Sequence, residues 1–483
     1  MRILTSFTFW YLINVICVFI VIFMERKSPT STLVWVFILL FVPFLGFVFY
    51  LLLAQNFSRK ELFSMKTNAR RTFGNFLKLQ EKEFKEEQIY FNDKSVEKHL
   101  ETIKMNLFEN ECFFTQDNRV KILTDGHELY KDMFEEFEKA EKSIHVLFYI
   151  IKNDELGNDF LDLLKKKAEA GVRVRIIYDS MGGREIKRKK IKELQNSGVL
   201  IGSFFPSPFP LFNSKANYRN HRKIVVIDGD IGYCGGFNVG DEYLGKSKKF
   251  GYWRDTHVKI KGSACIDLQR RFFLDWSNVS KEKISFKPKY FPQFSDETIE
   301  GECAIQIVSS GPDMRDEVIK QNYIKLINSA SKSIYIQTPY FAPDDSLLDA
   351  LKLAALSGVD VNIMIPNKPD HPFVYWATFS FVGDLLKYGV NVYTYENGFM
   401  HSKVLIVDEQ VVSVGSANFD IRSFRLDFET NAIIYDTKIA KEMIEIYNED
   451  ILLSSKLVYD IYLQRGINIR IKESISRLFT PVL

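Results

Sequence analysis

Two matching sets of histidine, lysine, aspartate and asparagine are the residues of this chain best suited to carry out chemistry. The first set comprises His221, Lys223, Asp228 and Asn238. The second set has the same internal spacing 180 residues further along, at His401, Lys403, Asp408 and Asn418. Because the spacing agrees over a stretch of eighteen residues, a duplicated functional motif explains it better than chance does.

The histidine and lysine of each set suit a phosphate group. Residues two apart on a β-strand project to the same face, so His221 and Lys223 are predicted to lie side by side, as are His401 and Lys403. The lysine can balance the phosphate charge, and the histidine can attack phosphorus or exchange protons. A single His-x-Lys pair more often marks an ordinary exposed strand edge, but the matched pair favours a functional site.

The asparagines and aspartates of the two sets are expected to differ in role. Asn238 and Asn418 follow glycines, which permit close backbone approach, and are predicted to donate amide hydrogens to phosphate oxygens. Asp228 and Asp408 have the opposite strand parity and fall in turn sequences. Geometry alone therefore indicates a structural role for these two aspartates.

A further acid follows each motif. Asp255 and Glu429 occupy corresponding places in the two halves, and a carboxylate bonded to a catalytic imidazole fixes its tautomer and raises its basicity. Asp255 is the candidate orienting acid of the first half and Glu429 that of the second, with an ordinary surface carboxylate as the alternative. His257, beside Asp255, is interpreted as a packed histidine rather than a third catalyst.

Two copies of the motif make mechanistic sense, because in-line displacement at phosphorus needs a nucleophile on one side and an acid on the other. If the halves pack about a pseudo-twofold axis, His221 and His401 face each other across one phosphate, and a covalent phosphohistidine can form. Lysines and asparagines then stabilise the charge, so no metal or other cofactor is expected. The five cysteines and seven histidines show no metal-ligand spacing.

Two similar α/β units are predicted to position these residues. Lys142–Val146 resembles Lys332–Ile336, and in each half β-branched runs alternate with segments of helical period. The first motif is predicted to form a hairpin, with strands at Arg222–Ile227 and Ile231–Cys234.

Two uncharged apolar segments, Leu4 to Met24 and Thr32 to Ala54, precede these units. Each reaches the length of about 20 residues that crosses a bilayer as a helix, and together they predict a transmembrane hairpin. A cleaved signal peptide is the alternative for the first segment, although no small-x-small cleavage site ends it. The basic residues that follow the second segment place both termini and the main body in the cytoplasm.

The predicted organisation is two transmembrane helices in residues 1–57, a juxtamembrane helical linker in 58–110, and duplicated α/β domains in 111–290 and 291–483. The chain has 26% charged and 46% hydrophobic residues, which is typical of a globular protein. Its net charge of +3 argues against a dedicated nucleic-acid binder but leaves a local basic patch open.

The doubled His-x-Lys-x4-Asp motif resembles the signature of the phospholipase D superfamily, and the rest of the chain resembles the bacterial cardiolipin synthases within it. The stretches that carry the narrower resemblance are Asn217–Lys223, Gly235–Tyr243, Gln337–Phe341 and Gly415–Ser423. It extends over essentially the whole chain, including both apolar segments.

The resemblance implies that one phosphatidylglycerol yields a phosphatidyl-enzyme and glycerol, and that a second phosphatidylglycerol takes the phosphatidyl group to form cardiolipin. It implies His221 as nucleophile and His401 as acid and base, although the residues alone leave this assignment open. It also counts Asp228 and Asp408 as part of the active site. The implied partners are these two lipids and the bilayer of the bacterial plasma membrane, with cytoplasmic catalytic domains and no nucleic acid.

One departure and two alternatives accompany this resemblance. Where the family commonly has Leu-Asn-Phe-Glu, this chain has Leu-Asp-Phe-Glu, so that Asp427 adds a charge beside Glu429. A hydrolytic phospholipase D or another membrane-tethered phosphodiesterase, such as a nuclease, is the alternative enzyme. A membrane scaffold without activity is the non-enzymatic alternative, and it would have no chemical need for two His-Lys pairs.

Overall fold

The computed structural model describes residues 7–24, 29–50, 77–86, 89–206, 217–280, 282, 290–291 and 301–480. The chain divides into two compact units. Unit 1 comprises residues 1–64 and 205–218, and unit 2 comprises residues 65–204 and 219–483.

Unit 1 contains three apolar helices, among its described residues, in the region where two membrane spans are predicted. They are α1 (Phe7–Phe23), α2 (Pro29–Phe41) and α3 (Pro43–Phe49). The first follows the predicted span Leu4 to Met24, whereas the second predicted span is divided at Val42, whose backbone leaves the helical region before a proline. Its end, beyond residue 50, lies outside the described residues. Across the described segments, the combination of length and apolarity that a bilayer crossing requires is not met by any helix.

The helices of unit 1 pack on one another through a small apolar core. Its buried members are Cys17, Val21, Trp35, Leu39 and Tyr50. The amide of Asn14 on α1 donates to the carbonyl of Leu39 on α2 at 2.8 Å. The two helices are thus joined by a polar contact as well as by packing.

The first half of unit 2 alternates strands and helices as the sequence predicts. Its strands are β1 (Thr115–Leu123), β2 (Ser143–Phe148), β3 (Arg173–Asp179), β4 (Leu200–Phe204), β5 (Arg219–Asn220), β6 (Ile224–Ile227), β7 (Ile231–Gly235), β8 (Trp253–Arg254) and β9 (His257–Lys261). Its helices are α4 (Leu100–Phe108), α5 (Gly126–Lys139), α6 (Glu155–Glu169), α7 (Arg188–Asn196) and α8 (Cys265–Val279).

The second half repeats this alternation. Its strands are β10 (Cys303–Ser310), β11 (Ser333–Gln337), β12 (Phe341–Ala342), β13 (Asp360–Pro366), β14 (Asn391–Tyr395), β15 (Phe399–Met400), β16 (Val404–Val407), β17 (Val411–Gly415), β18 (Phe419–Asp420), β19 (Asp427–Tyr435) and β20 (Ser454–Lys456). Its helices are α9 (Val318–Ser329), α10 (Asp345–Leu356), α11 (Pro372–Leu386), α12 (Ile421–Arg425), α13 (Thr437–Leu452), α14 (Tyr459–Leu463) and α15 (Ile467–Leu478).

Sixteen strands of the described chain form one mixed sheet that runs through both halves. Its centre is the antiparallel pair of β1 and β10. Outward from β1 the order is β9, β7, β6, β2, β3 and β4, and outward from β10 it is β19, β17, β16, β11, β13 and β14. Each of these strands thus has a counterpart at the same place in the other half, which confirms the predicted duplication of α/β units. Among the described strands, β20, beyond β14, and β5, beside β19, have no counterpart in this sheet.

The predicted hairpin of the first motif is present, with a shorter first strand. Strands β6 and β7 pair in antiparallel register, with Ile227 opposite Ile231. His221 and Lys223 precede β6 and follow the two-residue strand β5. The motif residues therefore lie at a strand end rather than within a strand.

The predicted juxtamembrane linker contributes to the core of unit 2 where it is described. A helix at residues 77–85 and helix α4 bury Leu77, Phe84 and Ile103 in the same cluster as residues of the second half. Asn106 on α4 also donates to Asn322 on α9 at 2.8 Å. Residues 58–76 of the predicted linker lie outside the described residues, as do most of residues 281–300 between the halves.

Candidate active site

His221 is placed by a short parallel strand pair between the two halves. Strand β5 pairs with the beginning of β19, with Arg219 opposite Asp427 and Asn220 opposite Phe428. His221 directly follows β5, and Glu429 is the next residue of β19. The His221 amide donates to the Phe428 carbonyl at 3.0 Å, and His221 Nδ1 lies 3.0 Å from Glu429 Oε1.

His401 is placed in the same way by strands β15 and β8. Phe399 pairs with Trp253 and Met400 with Arg254, again in parallel. The His401 amide donates to the Arg254 carbonyl at 2.7 Å, and His401 Nδ1 lies 2.6 Å from Asp255 Oδ2. Both imidazoles thus have Nδ1 held by a buried acid, which leaves Nε2 for a substrate.

The two acids are exchanged between the halves. Asp255 was the candidate for the first half, but it contacts His401 of the second half. Glu429 of the second half contacts His221 of the first. The physical reason is the parallel register of the two short strand pairs, since both pairs join strands from different halves.

Each motif lysine folds back on its own histidine. Lys223 Nζ donates to the His221 carbonyl at 2.6 Å, and Lys403 Nζ donates to the His401 carbonyl and lies 2.9 Å from His401 Nδ1. Burial lowers the pKa of Lys223 to about 7 and that of Lys403 to about 8, although nearby carboxylates oppose this. A bound phosphate anion would favour the charged form of both ammonium groups.

Burial also keeps the two histidines neutral at pH 7. Burial and the Lys223 ammonium hold the pKa of His221 well below its ordinary value. Burial and Lys403 lower the pKa of His401 to about 4. A neutral imidazole keeps the lone pair that a nucleophile or general base requires.

The two orienting acids respond differently to their surroundings. Burial raises the pKa of Glu429 to about 7, and Lys223 opposes that shift. Burial also acts on Asp255, but Lys403 and His401 outweigh it and lower the pKa of that carboxyl. The two dyads therefore differ in charge, because the carboxylate beside His401 is more fully ionised than the one beside His221.

The asparagines, predicted to be equivalent, have different surroundings. Asn238 Oδ1 accepts from the Ile150 amide at 3.1 Å, and its Nδ2 donates to the Tyr243 hydroxyl at 3.2 Å. Asn418 lines a cavity beside His221, and its Oδ1 is buried without a hydrogen-bond partner among the described residues. The geometry therefore supports a ligand-binding position more directly for Asn418 than for Asn238.

Asp228 and Asp408 lie in the hairpin turns, in the left-handed region with φ of 52° and 54°. Both carboxylate oxygens of Asp228 accept from backbone amides of residues 141–143. Both oxygens of Asp408 accept from the amides of residues 331–333, and one also accepts from the Ser331 hydroxyl. These contacts fix the starts of β2 and β11, and the catalytic role implied by the family resemblance stays a prediction.

A cavity of about 520 Å³ opens beside His221. One part of its wall is apolar and is formed by the start of helix α11, at Phe373, Val374 and Ala377. Another part is polar and includes Arg219, Asn418, Asp420, Arg422 and Asp427. The cavity thus offers apolar and charged surface within reach of the same imidazole.

Several residues of the site carry no role in the sequence motif alone. The Tyr149 ring lies 5.0 Å from the His221 ring and 5.6 Å from Lys223 Nζ. The Ser416 hydroxyl donates to Glu429. Arg222 is fully buried and pairs with Asp275 at 2.8 Å. Of these three residues, only Ser416 could have been identified from the sequence, because it belongs to the Gly-Ser-x-Asn sequence of the second motif. The contacts of Tyr149 and Arg222 depend on the fold.

The chain matches known domain families over more than half of its length. Residues 133–263 and 323–451 match the family described as cardiolipin synthase, phospholipase D-like domain. Residues 12–55 match the family described as phospholipase D-nuclease N-terminal.

Curated relatives match nearly from end to end. The chain is 48% identical over 475 residues to the major cardiolipin synthase ClsA of Bacillus subtilis (strain 168), with 98% of each chain covered. It is 49% identical over 474 residues to a cardiolipin synthase of Staphylococcus aureus (strain N315), with 98% of this chain and 95% of that one covered.

A solved structure shows the same fold. The phosphatidylserine synthase of Haemophilus influenzae Rd KW20 aligns with a TM-score of 0.59 at 17% identity. The alignment covers 77% of this chain and 97% of that chain. At this identity the likeness concerns the fold alone.

Proposed function

The chain belongs to the cardiolipin synthase family with phospholipase D-like domains, and from that premise we propose that it joins two phosphatidylglycerol molecules into cardiolipin through a phosphohistidine intermediate. One observation carries the proposal. His221 and His401 each lie beside a lysine and are held at Nδ1 by an acid of the opposite half. This arrangement supplies a nucleophile and an acid–base catalyst for displacement at one phosphorus atom.

In the first step, Nε2 of His221 attacks the phosphorus of the first phosphatidylglycerol. The new nitrogen–phosphorus bond replaces the bond from phosphorus to the headgroup oxygen, and glycerol leaves with a proton supplied by His401. Because the phosphodiester is an anion, its binding raises the low pKa of His401 and lets the imidazole carry that proton. The position of His221 on the cavity wall supports its role as nucleophile.

In the second step, a hydroxyl of the second phosphatidylglycerol attacks the phosphohistidine. His401 takes the hydroxyl proton, the nitrogen–phosphorus bond breaks, and cardiolipin is released with His221 restored. Lys223 and Lys403 stabilise the charge on the phosphoryl oxygens in both steps. The matching strand order of the halves supports a pseudo-twofold arrangement in which the two imidazoles act on one phosphate.

We further propose that unit 1 attaches the enzyme to the bacterial plasma membrane as a two-span hairpin, with the catalytic domains on the cytoplasmic side. The described helices α1 and α2 leave large apolar side chains exposed, among them Phe19, Phe23, Phe37 and Phe41. Exposed apolar surface of this extent is suited to lipid rather than water. The proposed division of the chain remains 1–57, 58–110, 111–290 and 291–483.

The attachment is tested by deleting residues 1–57 and measuring how the protein distributes between membrane and soluble fractions. Retention of the shortened chain in the membrane fraction after a high-salt wash would refute unit 1 as the anchor. Sidedness is tested by protease treatment of sealed vesicles of known orientation.

The reaction is tested with purified full-length enzyme and phosphatidylglycerol in detergent micelles. Formation of cardiolipin and glycerol in equal amounts supports the synthase. Phosphatidic acid as the main product would identify a hydrolytic phospholipase D, and unreacted lipid together with cleaved DNA would identify a nuclease. The intermediate is sought as a phosphatidyl adduct on a His221 peptide by mass spectrometry after rapid quenching.

A further inference from the structure

Two buried oxygen atoms of residues that line the cavity beside His221 have no hydrogen-bond donor among the described residues. They are Oδ1 of Asp427 and Oδ1 of Asn418. The Asp427 side chain is 8% exposed. Buried polar atoms of folded proteins are almost always paired, so these two acceptors call for a donor that the described chain does not supply.

Asp427 carries most of this argument, because both of its terminal atoms are acceptors. Its Oδ2 lies 3.2 Å from Nε of Arg422, which leaves Oδ1 as the unpaired atom. Asp427 and Glu429 are two apart on β19 and therefore project to the same side of that strand. Since Glu429 holds His221, the Asp427 carboxylate lies on the side of the proposed nucleophile.

The chemistry of the substrate limits which of its parts can fill this position. An ionised phosphodiester carries no hydrogen to donate, and the acyl esters of a phospholipid offer acceptors only. The hydroxyls of a glycerol headgroup are the donors in phosphatidylglycerol. Two acceptors beside the nucleophile therefore match a glycerol headgroup rather than a phosphate or an acyl chain.

We propose that Asp427 and Asn418 form a hydroxyl-binding subsite for the acceptor headgroup. Asp427 Oδ1 accepts a hydrogen bond from the hydroxyl next to the attacking one, and Asn418 Oδ1 accepts from a hydroxyl of the same headgroup. This inference rests on the proposed function, which supplies an alcohol as the second substrate. It makes Asp427 a specificity-determining residue that favours 1,2-diols over water and over alcohols with a single hydroxyl.

Because Arg422 occupies one oxygen of the Asp427 side chain, a carboxylate can accept from a headgroup hydroxyl where an asparagine could not. Burial raises the pKa of Asp427 to about 6, and the Arg422 guanidinium opposes that shift, so the group is largely ionised at pH 7. An asparagine at this position would have one acceptor oxygen. If Arg422 engages that oxygen, the amide nitrogen takes the place of Oδ1 and cannot accept from a hydroxyl.

The test uses the full-length enzyme with phosphatidylglycerol in micelles and an equimolar mixture of 1,2-propanediol and 1-propanol. These alcohols differ only in the second hydroxyl, so the ratio of the two phosphatidyl products reports how strongly that hydroxyl is bound. The expected result is that Asp427→Asn lowers the diol-to-propanol ratio about tenfold, the effect of one hydrogen bond to a charged group. Asp427→Leu should lower it at least as much.

Asp162→Asn is the matched control, because it makes the same change at an exposed aspartate that pairs with Lys190 and does not line the cavity. Its product ratio should equal that of the wild type. An unchanged ratio in Asp427→Asn overturns the subsite, and so does an equal loss of both products. Neither product requires cardiolipin to form, so a wild type that uses both alcohols but makes no cardiolipin would refute the proposed function and still allow this test.

Discussion

His221 Nδ1 lies 3.0 Å from Glu429 Oε1, although the two residues come from different halves of a duplicated chain. The reciprocal contact joins His401 to Asp255 at 2.6 Å. Each half therefore supplies the imidazole of one dyad and the carboxylate of the other. This exchange makes the behaviour of single-site variants predictable.

Replacing either orienting acid by its amide should slow cardiolipin formation strongly. In Glu429→Gln and Asp255→Asn the imidazole loses the carboxylate that sets its tautomer, and we expect kcat to fall about 100-fold or more with a small change in KM. The measurement is the steady-state rate of cardiolipin formation in micelles. Glu317→Gln is the control, because Glu317 pairs with Arg425 at the surface. Near-normal rates in both acid variants would contradict the dyads.

Removal of each histidine should stop the reaction at a different step. His221→Ala should form no covalent adduct, because the nucleophile is gone. His401→Ala should still form the adduct from a donor whose leaving group needs no proton, such as a phosphatidyl nitrophenol, but should turn it over slowly. Quenched-flow mass spectrometry distinguishes the two outcomes. An adduct in His221→Ala that is missing in His401→Ala would reverse the assignment of roles.

Asp228 should affect stability more than chemistry. Asp228→Ala removes the acceptors for three backbone amides at the start of β2 and should destabilise the fold by about 1–3 kcal/mol. Thermal unfolding and kcat are measured on the same preparation. A loss of activity of several orders of magnitude at an unchanged melting temperature would instead support the catalytic role that the family resemblance implies.

Lys403 should make stability rise with pH in the alkaline range. Burial lowers its folded-state pKa to about 8 from an ordinary value of 10.5. Between these values the unfolded chain binds a proton that the folded chain does not, so stability increases with pH across that window. The slope of melting temperature against pH between 8 and 10 should therefore be smaller in Lys403→Met. A larger slope in the variant would show that the sign of the shift is wrong.

Much of the architecture could be predicted from local sequence. The alternation of β-branched and helix-period segments locates the α/β units, and the motif spacing locates the hairpin of β6 and β7. The exchange of Asp255 and Glu429 could not be predicted in this way. It depends on two-residue strand pairs between residues more than 140 positions apart, for which the sequence carries no periodic signal.

The difference between Asn238 and Asn418 has a similar origin. Both occupy the same place in their motifs, but Tyr243 and the Ile150 amide engage the side chain of Asn238. Those partners come from segments outside the motif. Sequence symmetry therefore predicts the position of a side chain better than it predicts whether its polar atoms are available to a ligand.

The exchange of acids between the halves also bears on how a duplicated chain of this kind could evolve. A single half would hold its histidine without the carboxylate that orients it, and its own acid would have no imidazole to serve. A one-copy ancestor with this strand order would be complete only when two chains met about a twofold axis. Fusion of two copies keeps both dyads and lets the two halves change independently. The carboxylates beside His221 and His401 can then differ in charge, as Glu429 and Asp255 do.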